Sequence, residues 1–222
     1  MSEKRYGLTR PTEADIVSPG FSTPWDAPMI PPFPFTFRNA EILTLYWRTD
    51  PEAIRFLLPP PLEATGDIAC CHIYKMNDTD WIGPYGETNV MVGARFGARE
   101  GGYSPYLALS SDIGVAHGRE VHGQPKKLAE PSLEKRGDLL VGTVVRNGID
   151  VLTGTLAYKQ RRVEPAALKP HFDFATNINL KALDHIDGRP AIPHPPSRRP
   201  AEANAPGASG RPCTAAPRPK GR

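Results

Sequence analysis

The run Leu139-Leu140-Val141-Gly142-Thr143-Val144-Val145-Arg146-Asn147-Gly148-Ile149-Asp150-Val151-Leu152-Thr153-Gly154-Thr155-Leu156-Ala157-Tyr158 decides the fold class. Two segments dense in Val, Leu, Ile and Thr flank Asn147-Gly148, a dipeptide whose residues tolerate the positive φ of a tight hairpin turn. The segment therefore predicts two antiparallel strands, Leu139–Asn147 and Val151–Tyr158, with no room between them for a crossover helix.

Upstream the same grammar repeats. Asp67–Tyr74, Thr88–Ala98 and Tyr103–Leu109 read as short strands separated by Gly83-Pro84 and Gly101-Gly102, and Glu41–Arg48 is dense in β-branched and aromatic residues. Two segments alone read as helical. In the first, Thr49 or Asp50 caps, Pro51 opens, Glu52 closes a capping box with Thr49, and Pro59-Pro60-Pro61 ends a helix over Glu52–Leu58. The second covers Ser110–Val121. The expectation is a mainly β, α+β protein with short helices, built on an antiparallel sheet or barrel and not on βαβ units. No internal repeat is present.

The ends differ from this body. Residues 1–29, rich in Pro, Gly, Ser and Thr, read as an extended arm, and residues 30–187 as the folded domain. From Gly188 to Arg222 nine prolines and seven alanines accompany one large aliphatic residue, Ile192. Such a segment buries too little apolar surface to offset its ordering entropy, so disorder is expected over 188–222. Seven of the chain's basic residues lie in that tail with one acid, Glu202, so the formal net charge of +3 belongs to the tail and the body is mildly acidic. Without aromatic residues to stack on bases, the tail predicts no specific nucleic-acid partner.

Three cysteines, two of them adjacent (Cys70, Cys71), make no disulfide framework. No apolar run approaches a membrane span, and the start of the chain lacks a secretory h-region. A cytoplasmic protein without a membrane partner is expected. With neither Cys-x-x-Cys nor paired histidines at ligand spacing, no metal site and no cofactor are expected.

Chemistry concentrates in Gly118-Arg119-Glu120-Val121-His122-Gly123-Gln124-Pro125-Lys126-Lys127-Leu128. Adjacent lysines are ordinarily solvated charge. Here a Gly and a Pro set the backbone before the pair and an apolar Leu-Ala step follows it. An amine attacks a carbonyl only when unprotonated, and a neighbouring cation together with an apolar wall favours the neutral form.

This segment resembles the Lys-Lys motif of the acetoacetate decarboxylase family. Tyr46-Trp47-Arg48-Thr49-Asp50, Leu57-Leu58-Pro59-Pro60-Pro61-Leu62-Glu63, Met76-Asn77-Asp78-Thr79, Tyr85-Gly86-Glu87 and Leu140-Val141-Gly142-Thr143 are similar to further pieces of that family, in one register across roughly residues 30–187. The resemblance implies that Lys126 is the Schiff-base lysine, that Lys127 perturbs it, and that Glu87 lines the active site and handles protons. It also implies a small keto-acid substrate and a homo-oligomer.

Two positions depart from the family's pattern. Ala40 stands where the decarboxylases carry an arginine, and His72 where they carry a second glutamate. A guanidinium holds a carboxylate by paired charge-assisted bonds and alanine cannot, while histidine replaces an anion by a neutral or cationic ring. If Arg38 lies two residues from Ala40 on one strand face, it can replace the lost guanidinium. Arg38 and His72 are therefore the candidate substrate-binding residues. Three readings follow: a β-keto acid decarboxylase, a Schiff-base aldolase or dehydratase acting on a pyruvate-like substrate, and an inactive family member. The family continues in further strands where this chain turns to Pro/Ala/Arg-rich sequence, so a C-terminally incomplete fold is also expected.

Overall fold

The computed structural model describes residues 34–157 without a break, residues 176–184, and short stretches at 4–5, 8–9, 12–14, 28–30, 164, 187 and 190–192. Ten strands and two helices carry the site. They are β1 (Phe37–Arg38), β2 (Glu41–Arg48), α1 (Pro51–Leu57), β3 (Glu63–Met76), β4 (Asp78–Thr79), β5 (Tyr85–Phe96), β6 (Arg99–Leu109), α2 (Asp112–Glu120), β7 (Lys126–Leu128), β8 (Glu130–Arg136), β9 (Leu139–Arg146) and β10 (Ile149–Ala157).

A five-stranded sheet in the order β2-β3-β5-β6-β7 faces a three-stranded sheet in the order β8-β9-β10, and β1 pairs with β4 alone. Pairing is antiparallel throughout these sheets except between β6 and β7, which run parallel. The mainly β expectation holds. The described strands form open sheets, so the barrel alternative is corrected to stacked sheets.

The hairpin forms as its turn residues require: Asn147 has φ 52° and Gly148 φ 75°, and β9 and β10 pair from Arg146–Ile149 back to Leu139–Ala157. Leu43, Cys71, Ile73 and Leu133 fill the space between the sheets, with Leu45, Val90, Leu140 and Leu152 around them. The close approach needs glycine. A Cβ on Gly142 would lie 2.5 Å from Ile73 Cδ1, and one on its register partner Gly154 would lie 2.4 Å from Leu45 Cδ1.

A second core, Ile54, Leu58, Leu62, Ala69, Val92, Ala94 and Ile178, seats α1 against the sheet. Asp50, not Thr49, is the N-cap: its carboxylate accepts from the Glu52 N–H at 2.9 Å, while the Thr49 N–H donates to the Asp67 carbonyl. The capping box with Thr49 is therefore replaced by a single Asp cap. Helix α2 is capped by Ser111, whose hydroxyl accepts from the Gly114 N–H.

Both β7 and β8 escaped the sequence reading. β7 has three residues, and β8 (Glu-Pro-Ser-Leu-Glu-Lys-Arg) carries a proline and four charges. Proline is tolerated because β8 lies at the edge of its sheet.

The expected 187/188 boundary is crossed by a short antiparallel pair that sets Leu183 opposite Ile192 and Asp184 opposite Pro190. The rest of that tail, and most of the 1–29 arm, lie outside the described residues.

Candidate active site

Strand register assembles the site. Thr44, His72, Asn89, Leu107 and Lys126 are successive register partners across all five strands, and the next row holds Ile42, Tyr74, Glu87, Leu109 and Leu128. Partners across a ladder share a face, so both rows look out from the same side of the sheet. The intervening row, Leu43, Ile73, Thr88, Ala108 and Lys127, belongs to the other side, where the three-stranded sheet packs. Lys126 and Lys127 therefore point in opposite directions. Lys126 is 8% exposed, whereas Lys127 is exposed.

Helix α2 and the segment after it hold Lys126 in place. A Cβ on Gly118 would lie 2.2 Å from Lys126 Cδ and 2.7 Å from Cε, so the lysine stem runs directly over the helix backbone. Arg119 donates to the Lys126 carbonyl at 3.3 Å. The Gln124 N–H donates to the Gly118 carbonyl at 2.9 Å, and Gly123, at φ 68°, turns the chain toward β7.

The amine ends 3.4 Å from Glu87 Oε2, with side-chain exposures of 10% and 12%. This buried ion pair is the centre of the site. Around Glu87, Tyr85, Leu107 and Leu109 form an apolar cluster with Phe37, Met76, Ile82 and Val115. Burial, then the Glu87 charge, pushes the Tyr74 and Tyr85 phenols well above their ordinary range. Both phenols stay protonated beside the carboxylate, and that of Tyr85 hydrogen-bonds to Glu87.

His72 lies on the same face, three strands from Lys126. Its Nδ1 is 2.9 Å from Thr44 Oγ1, its Nε2 3.5 Å from Cys70 Sγ, and its ring stands 5.6 Å from that of Tyr74. Burial lowers its pKa to about 4, so the ring is neutral at neutral pH. Desolvation disfavours the charged ring, which sequence alone left open as neutral or cationic.

Arg38 is placed elsewhere. Its guanidinium donates to Asp78 at 3.2 Å and to Asp80 at 2.6 Å, and its side chain is about half exposed. The same-face argument fails because the chain turns at Asn39 (φ 52°) between β1 and β2, so Arg38 and Ala40 do not share one strand. Lys126, Glu87 and His72 are thus brought to one face, and Lys127 and Arg38 are not.

Sequence reasoning overlooked His117, His122 and Asn89. His117 is 6% exposed, its ring 4.8 Å from His122 and 5.3 Å from Phe35. Burial, then His122 and Lys126, lowers its pKa to about 4, and burial followed by Lys126 and Lys181 lowers that of His122. The two rings meet edge to face, and the Lys126 charge acts on both in the direction that disfavours protonation. Their signal was the five-residue spacing that brackets the helix end. Asn89 gave no signal except its position two residues after Glu87. Among the described residues no three His, Cys, Asp or Glu side chains converge as a metal would require. No described helix is long and apolar enough to cross a membrane.

A chain with this buried lysine–glutamate pair has relatives. Residues 18–206 match the family described as acetoacetate decarboxylase (ADC). The sequence is 34% identical over 178 residues to acetoacetate decarboxylase 1 of Bradyrhizobium diazoefficiens, covering 80% of this chain and 71% of that protein. It is 36% identical over 172 residues to acetoacetate decarboxylase 1 of Mesorhizobium japonicum, covering 78% and 69%. A solved acetoacetate decarboxylase superposes with a TM-score of 0.75 at 32% identity, over 82% of this chain and 74% of the other. On sequence and fold together, the chain belongs to the acetoacetate decarboxylase family.

Proposed function

We propose that the protein is a carboxy-lyase that decarboxylates a small β-keto acid through a Schiff base on Lys126. The observation that carries this reading is the nearly buried Lys126–Glu87 pair at 3.4 Å, on a sheet face walled by tyrosines and neutral histidines. The relatives' shared name supports the reaction class.

The chemistry follows from the arrangement. Lys126 passes its extra proton to Glu87 and attacks the ketone, and loss of water gives an iminium. The cationic nitrogen accepts the electron pair released when the C–C bond to the carboxylate breaks, so carbon dioxide leaves and an enamine forms. Glu87 has by then given that proton back to the hydroxyl that leaves as water, so the proton it delivers to the enamine carbon is one taken up from solvent, and water hydrolyses the resulting iminium to release the ketone. Low exposure strengthens each charge interaction in this cycle by excluding water. Lys127, exposed on the opposite face, acts on Lys126 only through the field of its charge. The family reading also carries a homo-oligomer and a cytoplasmic setting; sedimentation and cell fractionation test these.

Neutral His72 favours a second reading. Without an anion or guanidinium at that wall, the enamine formed on Lys126 is equally suited to attack an aldehyde, which is aldol chemistry on a pyruvate-like substrate. Borohydride reduction with acetoacetate and, separately, with pyruvate, followed by intact and peptide mass, tests imine formation at Lys126. Carbon dioxide release from acetoacetate then separates the two readings. Absence of an adduct with either ketone would sink both.

A further inference from the structure

Asn89 is a buried polar side chain that the proposed cycle leaves without work. It is 6% exposed, and its Oδ1 finds no hydrogen-bond partner among the described residues. A buried amide oxygen left unpaired forfeits the hydrogen bonds it had with water and gains none in return. Its register partners are His72 and Leu107, and neither bonds the Asn89 amide oxygen. A polar group retained against that cost points to a partner that arrives with the ligand.

Its place in the sheet says which part of a ligand it would meet. Asn89 follows Glu87 by two residues on one strand, so the two side chains share a face about 6.7 Å apart along the strand. Lys126 Nζ reaches over to 3.4 Å from Glu87 Oε2. A ketone joined to Nζ as an iminium would lie on the sheet face that Asn89 shares with Glu87. On the far side Asn89 is the register partner of His72, whose ring is neutral and already engaged by Thr44 and Cys70. Among the described residues no cation is bonded to His72 or Asn89 there to hold a second carboxylate. The amide accepts or donates according to the rotation of its terminal torsion, which suits a hydroxyl.

We infer that Asn89 forms a hydrogen-bonding subsite for a hydroxyl group borne on the carbon next to the reacting ketone, so that 4-hydroxy-3-oxo acids are preferred over acetoacetate. Asn89 and Lys126 lie in one register row with Leu107 between them, so the amide faces the same side of the sheet as the amine. The inference rests on imine formation at Lys126 and specifies the substrate class of that same site. It also assigns His72 a supporting role, as the neutral neighbour that keeps this end of the site free of charge.

The test is competitive borohydride trapping of hydroxyacetone against acetone, read as the ratio of the two adducts on Lys126 by intact mass. The native protein should favour hydroxyacetone by about tenfold, the scale set by satisfying one buried polar group that is otherwise left unpaired. In Asn89→Leu, which keeps the side chain's shape, and in Asn89→Ala, the ratio should fall to near unity. Two variants of different size guard against a folding defect in either, and the acetone adduct within each sample reports a competent site. Equal trapping of both ketones by the native protein, or a preference that survives both substitutions, overturns the subsite while leaving the imine reading intact. No adduct with either ketone overturns the imine reading, and the subsite with it.

Discussion

Adding a single methyl group at Gly118 separates positioning of the reactive amine from stability of the fold. The added Cβ would lie 2.2 Å from Lys126 Cδ, 2.7 Å from Cε and 2.9 Å from Gln124 Oε1. Non-bonded carbons rest at about 3.5–4.0 Å, so the lysine stem must retreat by roughly 1.3–1.8 Å. The neighbour that gives way is a flexible side chain and not backbone, so the helix survives. Ala also improves on Gly inside α2 by up to about 1 kcal/mol, which offsets part of an overpacking cost of about 1–3 kcal/mol. The net change in stability should stay within about 2 kcal/mol. Catalysis should not be spared. A displacement of about 1 Å at the reacting group costs on the order of 100-fold, and here the stem that carries Nζ to Glu87 moves by more. Gly118→Ala should therefore lower kcat for acetoacetate decarboxylation by about 100-fold and slow borohydride trapping in parallel, with the thermal midpoint close to that of the native protein. A Gly118→Ala protein with native kcat would refute the placement of Lys126 over the helix. One that fails to fold would refute the claim that the contact is borne by a flexible side chain.

Other outcomes follow from the same geometry. Glu87→Gln keeps the shape but removes the proton acceptor, and should reduce kcat by about 100-fold; an unaltered carbon dioxide release rate would exclude Glu87 from proton handling. His72 and His117 are both held to about 4, below the ordinary value near 6.5, so the unfolded chain binds more protons between these limits. Stability from their neutral burial is complete above pH 6.5 and is lost as pH falls toward 4, with a slope of up to about 1.4 kcal/mol per pH unit for each ring. Urea titrations of the native protein and His72→Gln should show a shallower decline in the variant over this window; parallel curves would contradict the burial of a neutral His72. Gly142→Ala forces a methyl into Ile73 between the sheets and should cost about 1–3 kcal/mol, seen as a lower urea midpoint, and an unchanged midpoint would mean the sheets are less tightly apposed.

What could be read from the sequence depended on whether the signal was local. The Asn147-Gly148 turn, the Pro51 helix start and the β-branched runs each act through neighbouring residues, and each appears where its chemistry required. β8 was hidden because its proline and charges are tolerated only at a sheet edge, which is a property of the assembled fold. The site shows the same division. Lys126 and Glu87 were legible through a motif and a resemblance, yet their contact joins residues 39 apart. The Arg38 argument assumed continuous strand across residues 38–40, and one positive φ at Asn39 broke it. Asn89 and His117 were invisible because an isolated polar residue in a strand or helix acquires meaning only from the register that buries it.

The parallel strand β7 gives the Lys-Lys pair a further meaning. Two adjacent residues of a strand can never serve the same side, so which amine meets Glu87 is a matter of phase: the count of residues between the last turn of α2 and the first bond to β6 decides which lysine shares the face of Glu87. Removing one residue from the connection Val121–Pro125 would bring Lys127 opposite Leu107 and turn Lys126 outward, exchanging their roles without changing either side chain. The connecting loop therefore works as an index as well as a tether, and its length is as much a determinant of the chemistry as the lysine it delivers.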